Sequence, residues 1–257
     1  MTRELVDLLN TAGVETQACL FPTFENDELR RFADAPVCVQ NTCEIVDSAF
    51  SLARRLRDDL TWIIPQAPFG LEHTRDWAVA VAQSVGKDEG RKAVERAYEE
   101  SQAKLKKAAQ PLAGQRILFV ADAAYSSFLF TPSQVKGIAL FDVVRELGMT
   151  AEILLRVPPT SEVPHELEES LPHYPDFTLR TGATTEHIEA LLLKSSATYI
   201  FTSRERNESA LRNHKLPVSP RTFQMGFQGF VRTAENLVRL QRSFLGADLE
   251  CIEGVEQ

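Results

Sequence analysis

Residues 35–74 constrain the fold more than any other stretch, because short apolar runs alternate there with an amphipathic helix. The apolar run 36–39 is followed by a helical pattern that opens at Cys43 and repeats its apolar residues every third or fourth position. A second apolar run, 60–64, leads through a Pro-Phe-Gly loop to Thr74 at the start of the next helix. This strand–helix–strand–helix order predicts two neighbouring parallel strands.

Cys43 lies where the first strand is predicted to turn into the helix. In an open α/β sheet such turns lie at the carboxyl ends of strands, where ligands bind, and the helix dipole lowers the pKa of a thiol placed there. A thiolate suits a metal ligand or a nucleophile. The alternative is a small buried hydrophobe, the role that we expect for Cys19 and Cys38. The four cysteines form no C-x-x-C pair, which suits neither a zinc site nor a disulfide framework.

The strand–helix alternation restarts after a boundary at residues 111–115. Residues 116–122 form an unbroken apolar strand, which is typical of a parallel sheet covered on both faces. The patterns predict further strands at 14–20, 151–155, 177–180, 198–202 and 216–218, and helices at 2–12, 75–85, 133–147, 185–194 and 226–240.

We therefore expect an α/β protein with two Rossmann-like three-layer domains built on parallel sheets. The first domain spans residues 1–112 and includes a long charged helix at 87–109, a composition typical of a bridging or surface helix. The second domain spans residues 113–245, and residues 246–257 form an acidic tail.

Composition and charge exclude several classes of protein. The chain has 257 residues, 44% of them hydrophobic and 25% charged, with a net charge of -8. Its basic residues are not massed on one face, which argues against nucleic-acid binding. No segment approaches the roughly 18 consecutive apolar residues of a membrane span, and the acidic amphipathic start resembles neither a signal nor a transit peptide. We expect a cytoplasmic protein with no membrane or nucleic-acid partner.

Motifs for nucleotide binding and hydrolysis are missing: G-x-G-x-x-G, G-x-x-x-x-G-K-S, G-x-S-x-G and H-E-x-x-H do not occur. Gly226 opens a G-x-x-G at a helix start, where an anion could bind or where glycines could allow close packing. Arg204 and Arg221 follow predicted strands and could meet an anionic group, with a solvated surface position as the alternative. His73 and His214 are isolated, and we expect them to be surface or loop residues.

The order of several short motifs is more informative than any one of them. They are L-L-x-x-x-G in the opening helix, Cys43 after an apolar run, P-F-G-x-x-x-T at 68–74 before a helix with Trp77, G-Q-R-I-L-F-V at 114–120, L-G-M at 147–149 and M-G-F-Q-G-F at 225–230. This order resembles the middle and C-terminal domains of nitrogenase component 1 proteins over about residues 1–245. That family includes nitrogenase subunits, scaffolds that mature its iron-molybdenum cofactor, and dark-operative protochlorophyllide and chlorophyllide reductase subunits.

The resemblance implies a role for Cys43. In cofactor-bearing members of the family, the matching cysteine ligates the metallocluster, which implies an iron-sulfur-based cofactor with Cys43 as its metal ligand. Tetrapyrrole-reducing members generally lack this cysteine. The cofactor is expected in a cleft between the two domains, with Arg204, Arg221 and Gly226 as further contacts that neutralise its charge. The resemblance leaves the catalytic residues open.

Two features depart from the family pattern. Family subunits carry an additional N-terminal domain whose cysteines bind an iron-sulfur cluster at the subunit interface, and we expect this domain to be missing from the chain. The histidine that completes cofactor binding in nitrogenase is expected within residues 216–225, but none occurs there, and His214 is the nearest.

These observations predict a nitrogenase component 1-like oxidoreductase, or a scaffold subunit of metallocofactor biosynthesis for nitrogen fixation. Such a subunit would pair with a homologous subunit or with a second copy of itself. The resemblance implies that it would receive electrons from an ATP-driven iron protein, since the chain itself has no ATP-binding motif. The alternative is a cluster-free accessory protein that holds a small molecule or a tetrapyrrole, or a fragment of a larger reductase subunit.

Overall fold

The chain divides into two compact units. Unit 1 comprises Met1–Ala103, Pro132–Ile138 and Met225–Phe230, and unit 2 comprises Lys104–Thr131, Ala139–Gln224 and Val231–Gln257. The domain limits expected from the sequence, with a boundary near residue 112, stay a prediction. The computed structural model describes residues 3–18, 26–39, 55, 59–63, 65–122, 139–157, 162–182, 184–202 and 207–253.

Among the described residues, helices and strands alternate from residue 116 onward. The helices are α1 Arg3–Thr11, α2 Asn26–Asp34, α3 Leu71–Ser84, α4 Gly90–Ala109, α5 Leu140–Glu146, α6 His165–Ser170, α7 Thr185–Lys194, α8 Asn207–Arg212 and α9 Phe227–Glu253. The strands are β1 Val37–Val39, β2 Thr61–Ile63, β3 Arg116–Asp122, β4 Thr150–Arg156, β5 Thr178–Gly182, β6 Tyr199–Phe201 and β7 Leu216–Val218. None of these helices combines the length and the apolar character that crossing a membrane requires.

Helix α1 belongs to the core of unit 1. Leu5, Leu8 and Leu9 are buried, and their spacing places them on one face of the helix. The start of α4 comes so close to the end of α1 that a Cβ atom at Gly90 would lie 2.1 Å from the carbonyl oxygen of Ala12. Only glycine therefore fits at that position without a shift of the backbone.

The strands β1 and β2 pair in parallel, as the sequence predicts for residues 35–74. They contribute to a small apolar cluster whose buried members are Phe32 and Leu60, with Ala18, Cys38 and Trp62 packed against it. The strand predicted at 14–20 is wrong over residues 14–18, which form no strand, and the rest of it lies outside the described residues. The helix predicted to open at Cys43 also lies largely outside them.

Unit 2 contains a five-stranded parallel sheet in the order β5-β4-β3-β6-β7. The strand order runs outward from β3 in both directions, which is the arrangement of a Rossmann-like fold. Ile117, Leu118 and Phe119 are all buried, so β3 is covered on both faces as its unbroken apolar run predicts. Helix α7 packs on one face through Ile188 and Leu192. The predicted α/β class with Rossmann-like parallel sheets is confirmed.

Helix α9 continues beyond its predicted end at residue 240 and reaches Glu253, into the predicted acidic tail. Phe230, Ala234 and Leu237 are buried and form the apolar stripe of its first turns. Between residues 241 and 253 the sequence has no proline and one glycine, Gly246, which costs a helix only about 1 kcal/mol. The acidic composition alone therefore does not end the helix.

A buried polar cluster joins four elements of unit 2. Glu152 is 3% exposed, and its carboxylate forms an ion pair with Arg180 Nε at 3.0 Å and accepts a hydrogen bond from Ser195 Oγ at 2.7 Å. Lys215 Nζ donates to the carbonyl oxygens of Ser195 at 2.7 Å and Ala197 at 3.2 Å. Burial lowers the pKa of Lys215, and the nearby Glu152 carboxylate opposes this effect. The cluster ties the turn between α7 and β6 to the start of β7.

Candidate functional site

The carboxyl edge of β1 and β2 is where the chain enters the segment that carries Cys43. Strand β1 ends at Val39, which pairs with Ile63 at the end of β2, so both strands finish at the same edge. Cys43 follows Val39 by four residues and lies outside the described residues. Ligands of open α/β sheets bind at this kind of edge. The role of Cys43 as a metal ligand stays a prediction.

The thiol of Cys38 is unsuited to bind a metal. Cys38 lies within β1 and packs against the apolar cluster of Phe32 and Leu60. Burial raises the pKa of its thiol to about 12. The group therefore stays protonated near neutral pH, whereas a metal ligand has to be a thiolate. These contacts agree with the core position predicted for Cys38.

The loop that leaves β2 is held by hydrogen bonds to the carbonyl oxygen of Pro68. Thr74, which is fully buried in the first turn of α3, places its Oγ1 3.0 Å from that oxygen and 2.6 Å from the carbonyl oxygen of Gly70. The N–H of Gly226 donates to the same Pro68 oxygen at 3.0 Å. The Pro-Phe-Gly loop is thus fixed from both sides, by α3 and by the residue before α9.

The start of α9 already holds a carboxylate, that of Glu4. Its Oε1 atom accepts hydrogen bonds from the backbone N–H groups of Gln228 at 2.5 Å and Gly229 at 2.9 Å. Gly226 has a φ of 84° and packs on the same side chain, since a Cβ atom there would lie 2.7 Å from Glu4 Oε1. An external anion at this helix start would have to displace Glu4. The described contacts of Gly226 are its hydrogen bond to Pro68 and its packing against Glu4, and its role in cofactor binding stays a prediction.

His73 is less isolated than the sequence suggests. It lies in α3 and is half-buried, and its Nε2 atom is 3.3 Å from Nε2 of Gln66 in the loop after β2. Its isolated position in the sequence predicts a surface or loop histidine instead. His214, in contrast, is exposed, as expected.

Unit 2 has its own topological switch point, between β3 and β6. Asp122 ends β3, and its carboxylate forms a half-exposed ion pair with Arg156 at the end of β4. Thr202 follows β6, and its buried Oγ1 atom has no hydrogen-bond partner. Arg204, two residues further on, lies outside the described residues. Its predicted role as a cofactor contact stays a prediction.

Arg221 lies in the short helix Pro220–Thr222 after β7, and its side chain is exposed. It belongs to unit 2, whereas Gly226 belongs to unit 1. An exposed guanidinium after a parallel strand agrees with both roles that the sequence leaves open for Arg221, a cofactor contact and a solvated surface residue.

The described residues by themselves do not fit an iron-sulfur cluster. Within the described ranges, no group of three or more His, Cys, Asp or Glu side chains could hold a metal ion. The thiol of Cys38 is protonated and packed in the core. A cluster site in this chain would therefore need residues outside the described ranges, and Cys43 is the ligand predicted among them.

Sequence reasoning missed the contact between Glu4 and α9. No local signal could have revealed it, because Glu4 and Gln228 are 224 positions apart in the sequence. Thr202 was also missed, although it could have been found as the first polar residue after a buried strand. Such residues mark the ligand edge of a parallel sheet.

Sequence comparison identifies one family. The profile of nitrogenase component 1 type oxidoreductases matches residues 2–242. Among curated protein sequences, none matches the chain.

Comparison with solved structures gives matches of low sequence identity. Nitrogenase Cp1 at pH 5 is 14% identical with a TM-score of 0.63, over 91% of this chain and 52% of that chain. Nitrogenase Cp1 at pH 6.5 is 12% identical with a TM-score of 0.63, over 91% of this chain and 54% of that chain. The SBP FpvC of Pseudomonas aeruginosa in complex with Ni2+ is 13% identical with a TM-score of 0.50, over 93% of each chain.

These structural matches show a similar fold. The chain spans about half the length of the nitrogenase Cp1 chains that it matches.

Proposed function

Because the chain belongs to the nitrogenase component 1 type oxidoreductase family, we propose that it is a subunit of a nitrogenase-like reductase or of a scaffold that matures its metallocofactor. In this proposal the protein binds an iron-sulfur-based cofactor, and the thiolate of Cys43 is the ligand that this chain supplies. The cofactor would provide the redox chemistry, and the chain would hold it.

The parallel pairing of β1 with β2 is the observation that carries the proposal. Two adjacent parallel strands need a crossover connection that returns the chain to the starting edge. The connection between Val39 and Thr61 therefore leaves from the carboxyl ends of the strands, and Cys43 comes within its first residues. This is the edge at which α/β sheets bind ligands. The protonated, packed thiol of Cys38 leaves Cys43 as the better ligand of the two.

The partners follow from the same family membership. A homologous subunit or a second copy of this chain would complete the assembly, and an ATP-driven iron protein would donate electrons. The chain itself has no phosphate-binding loop motif, so ATP hydrolysis would be performed by the partner.

Iron and acid-labile sulfide analysis of anaerobically purified protein tests the proposal. We expect the wild-type chain, expressed with iron-sulfur assembly proteins, to contain iron and sulfide and to show the charge-transfer absorption of a cluster. Cys43→Ala should lose most of the iron. Cys38→Ala is the matched control, because it removes a half-buried thiol from β1 and should keep the iron.

Circular dichroism shows whether each variant is folded. Iron-free wild-type protein, or equal iron in wild type and Cys43→Ala, would contradict the proposal. In the first case, binding of tetrapyrroles or other small molecules by the wild-type protein would support the cluster-free alternative.

A further inference from the structure

The parallel sheet of unit 2 ends in β5 on one side and in β7 on the other, and the outer edge of β7 is closed. Pro217, in the middle of β7, has no N–H group, and the other residues of the strand direct their backbone groups toward β6. On either side of the strand, the N–H of Lys215 donates to the carbonyl oxygen of Ala210 at 3.0 Å, and the N–H of Ser219 donates to Thr222 Oγ1 at 3.1 Å. A further strand would therefore find no donor at this edge.

The outer edge of β5 is open. The N–H of Val157 donates to the carbonyl oxygen of Gly182 at 3.3 Å, so the backbone groups of Gly182 face β4. Because backbone groups of successive residues in a strand point to opposite sides, the N–H and C=O groups of Leu179 and Thr181 point away from β4. Within the described ranges, no backbone group bonds to them. These groups form the row that another strand needs for pairing.

Strand β5 also lacks the features that protect an edge from pairing. Such edges carry proline, lysine or a bulge. The sequence of β5 is T-L-R-T-G, and its register with β4 is continuous. Three of its residues, Thr178, Arg180 and Thr181, are exposed, so another strand could reach them. The charge of Arg180 is balanced by Glu152, whose carboxylate is 3.0 Å from Arg180 Nε.

We infer that β5 is a dimerisation strand, which pairs antiparallel with β5 of a second copy of this chain around a twofold axis at Arg180. In this register Leu179 lies opposite Thr181 of the second copy, and each such pair exchanges both of its N–H···O bonds. The pairing joins the two sheets of unit 2 into one continuous sheet. In naming the partner, this inference rests on the proposed function, which leaves a homologous subunit and a second copy open, but the pairing itself needs no cofactor.

Symmetry and charge favour a second copy as the occupant. A twofold contact uses the same surface on both copies, and antiparallel pairing of one strand with itself meets this condition. Because the edge of β7 is closed, the association stops at two copies. The chain has a net charge of -8, but residues 177–182 contain no Asp or Glu, so acidic side chains do not face each other at the axis. The two Arg180 side chains that meet there are each paired with Glu152 of their own copy.

Sedimentation velocity over a range of protein concentrations tests the inference. We expect the purified wild-type chain to form a dimer. Thr181→Pro should raise the dissociation constant of the dimer at least about tenfold, because proline removes the outward N–H from both copies and leaves the hydrogen bonds to β4 in place. Thr181→Val is the matched control: it keeps the backbone N–H and a β-branched side chain, and should dimerise like the wild type.

Hydrogen exchange of the wild-type chain gives a second measurement that needs no variant, in case Thr181→Pro does not fold. We expect the amides of Leu179 and Thr181 to exchange slowly at concentrations at which the dimer forms, and several-fold faster after dilution. The amides of Thr178 and Arg180, which face β4, serve as the internal reference and should change little.

Three results would overturn the inference: a wild-type chain that stays monomeric at all concentrations, a dimer that is equally stable in folded Thr181→Pro, or outward amides whose exchange does not depend on concentration. Protein that pairs through β5 only with a different chain would overturn the assignment of the second copy. Iron-free protein that dimerises through β5 would contradict the proposed function alone, whereas iron-containing monomers would contradict this inference alone. The two failures are therefore distinguishable.

Discussion

Replacing Glu4 by glutamine should destabilise unit 1 by about 1–2 kcal/mol. The Glu4 carboxylate accepts two backbone hydrogen bonds at 2.5 Å and 2.9 Å at the start of α9. A hydrogen bond to a charged group contributes about 1.5–3 kcal/mol, and a negative charge at a helix N-terminus adds about 0.3–1 kcal/mol. Glutamine keeps one acceptor oxygen and loses the charge, so only part of this sum is lost. Glu4→Ala removes both bonds and should cost about 2–4 kcal/mol.

Tryptophan fluorescence during urea unfolding measures this loss in the right part of the molecule. The chain has 2 tryptophans, Trp62 and Trp77, and both lie in unit 1. Thermal unfolding gives a second measure. For a chain of this size, a loss of 1 kcal/mol lowers the midpoint of thermal unfolding by roughly 2–4 °C, so Glu4→Gln should lower that midpoint by about 2–8 °C. Glu99→Gln, at an exposed position on α4, is the control and should change little. Equal stability of the Glu4 and Glu99 variants would refute the reasoning.

Two further predictions concern Gly226 and Lys215. Gly226→Ala should cost about 1–3 kcal/mol, because a left-handed φ of 84° strains alanine and its Cβ atom would lie 2.7 Å from Glu4 Oε1. In a double-mutant cycle with Glu4→Ala the costs should not add, and strict additivity would contradict the steric contact. The pKa of Lys215 is lower in the folded protein than the ordinary lysine value of about 10.4. Between these two pKa values the unfolded chain therefore binds more protons than the folded protein, so the free energy of unfolding should rise with pH in that window. Urea unfolding followed by circular dichroism should show a smaller rise in Lys215→Met, and parallel pH profiles of the two proteins would exclude this explanation.

The sequence predicts the sheet of unit 2 well, because its signals are local. Strand β3 matches its predicted bounds, since an unbroken apolar run between polar residues defines both ends. Helix α7 also matches, because the Thr184 hydroxyl accepts from the His187 N–H and caps its start. In contrast, α3 begins at Leu71, four residues before its predicted start, because Gly70 with a φ of 87° ends the loop there.

The candidate site is harder to predict, since its contacts join residues that are far apart in the sequence. The hydrophobic pattern of the sequence places Cys43 and Gly226 after a predicted strand and before a predicted helix, and both placements follow from local periodicity. It does not indicate that the Pro68 carbonyl oxygen accepts hydrogen bonds from both Thr74 and Gly226. Nor does it indicate that the Glu4 carboxylate accepts a hydrogen bond at the start of α9. Such contacts depend on tertiary packing, which one sequence does not specify residue by residue.

Every strand pair among the described residues is parallel, and this has a consequence for synthesis. A parallel pair cannot close through a hairpin, so each strand has to wait for a distant partner. In unit 2, Ile117 of β3 pairs with Tyr199 of β6, so one apolar edge of the central strand stays open while the intervening chain leaves the ribosome. The nascent chain is thus exposed to aggregation for longer than a protein of the same size built from hairpins, and we expect chaperones to improve its yield.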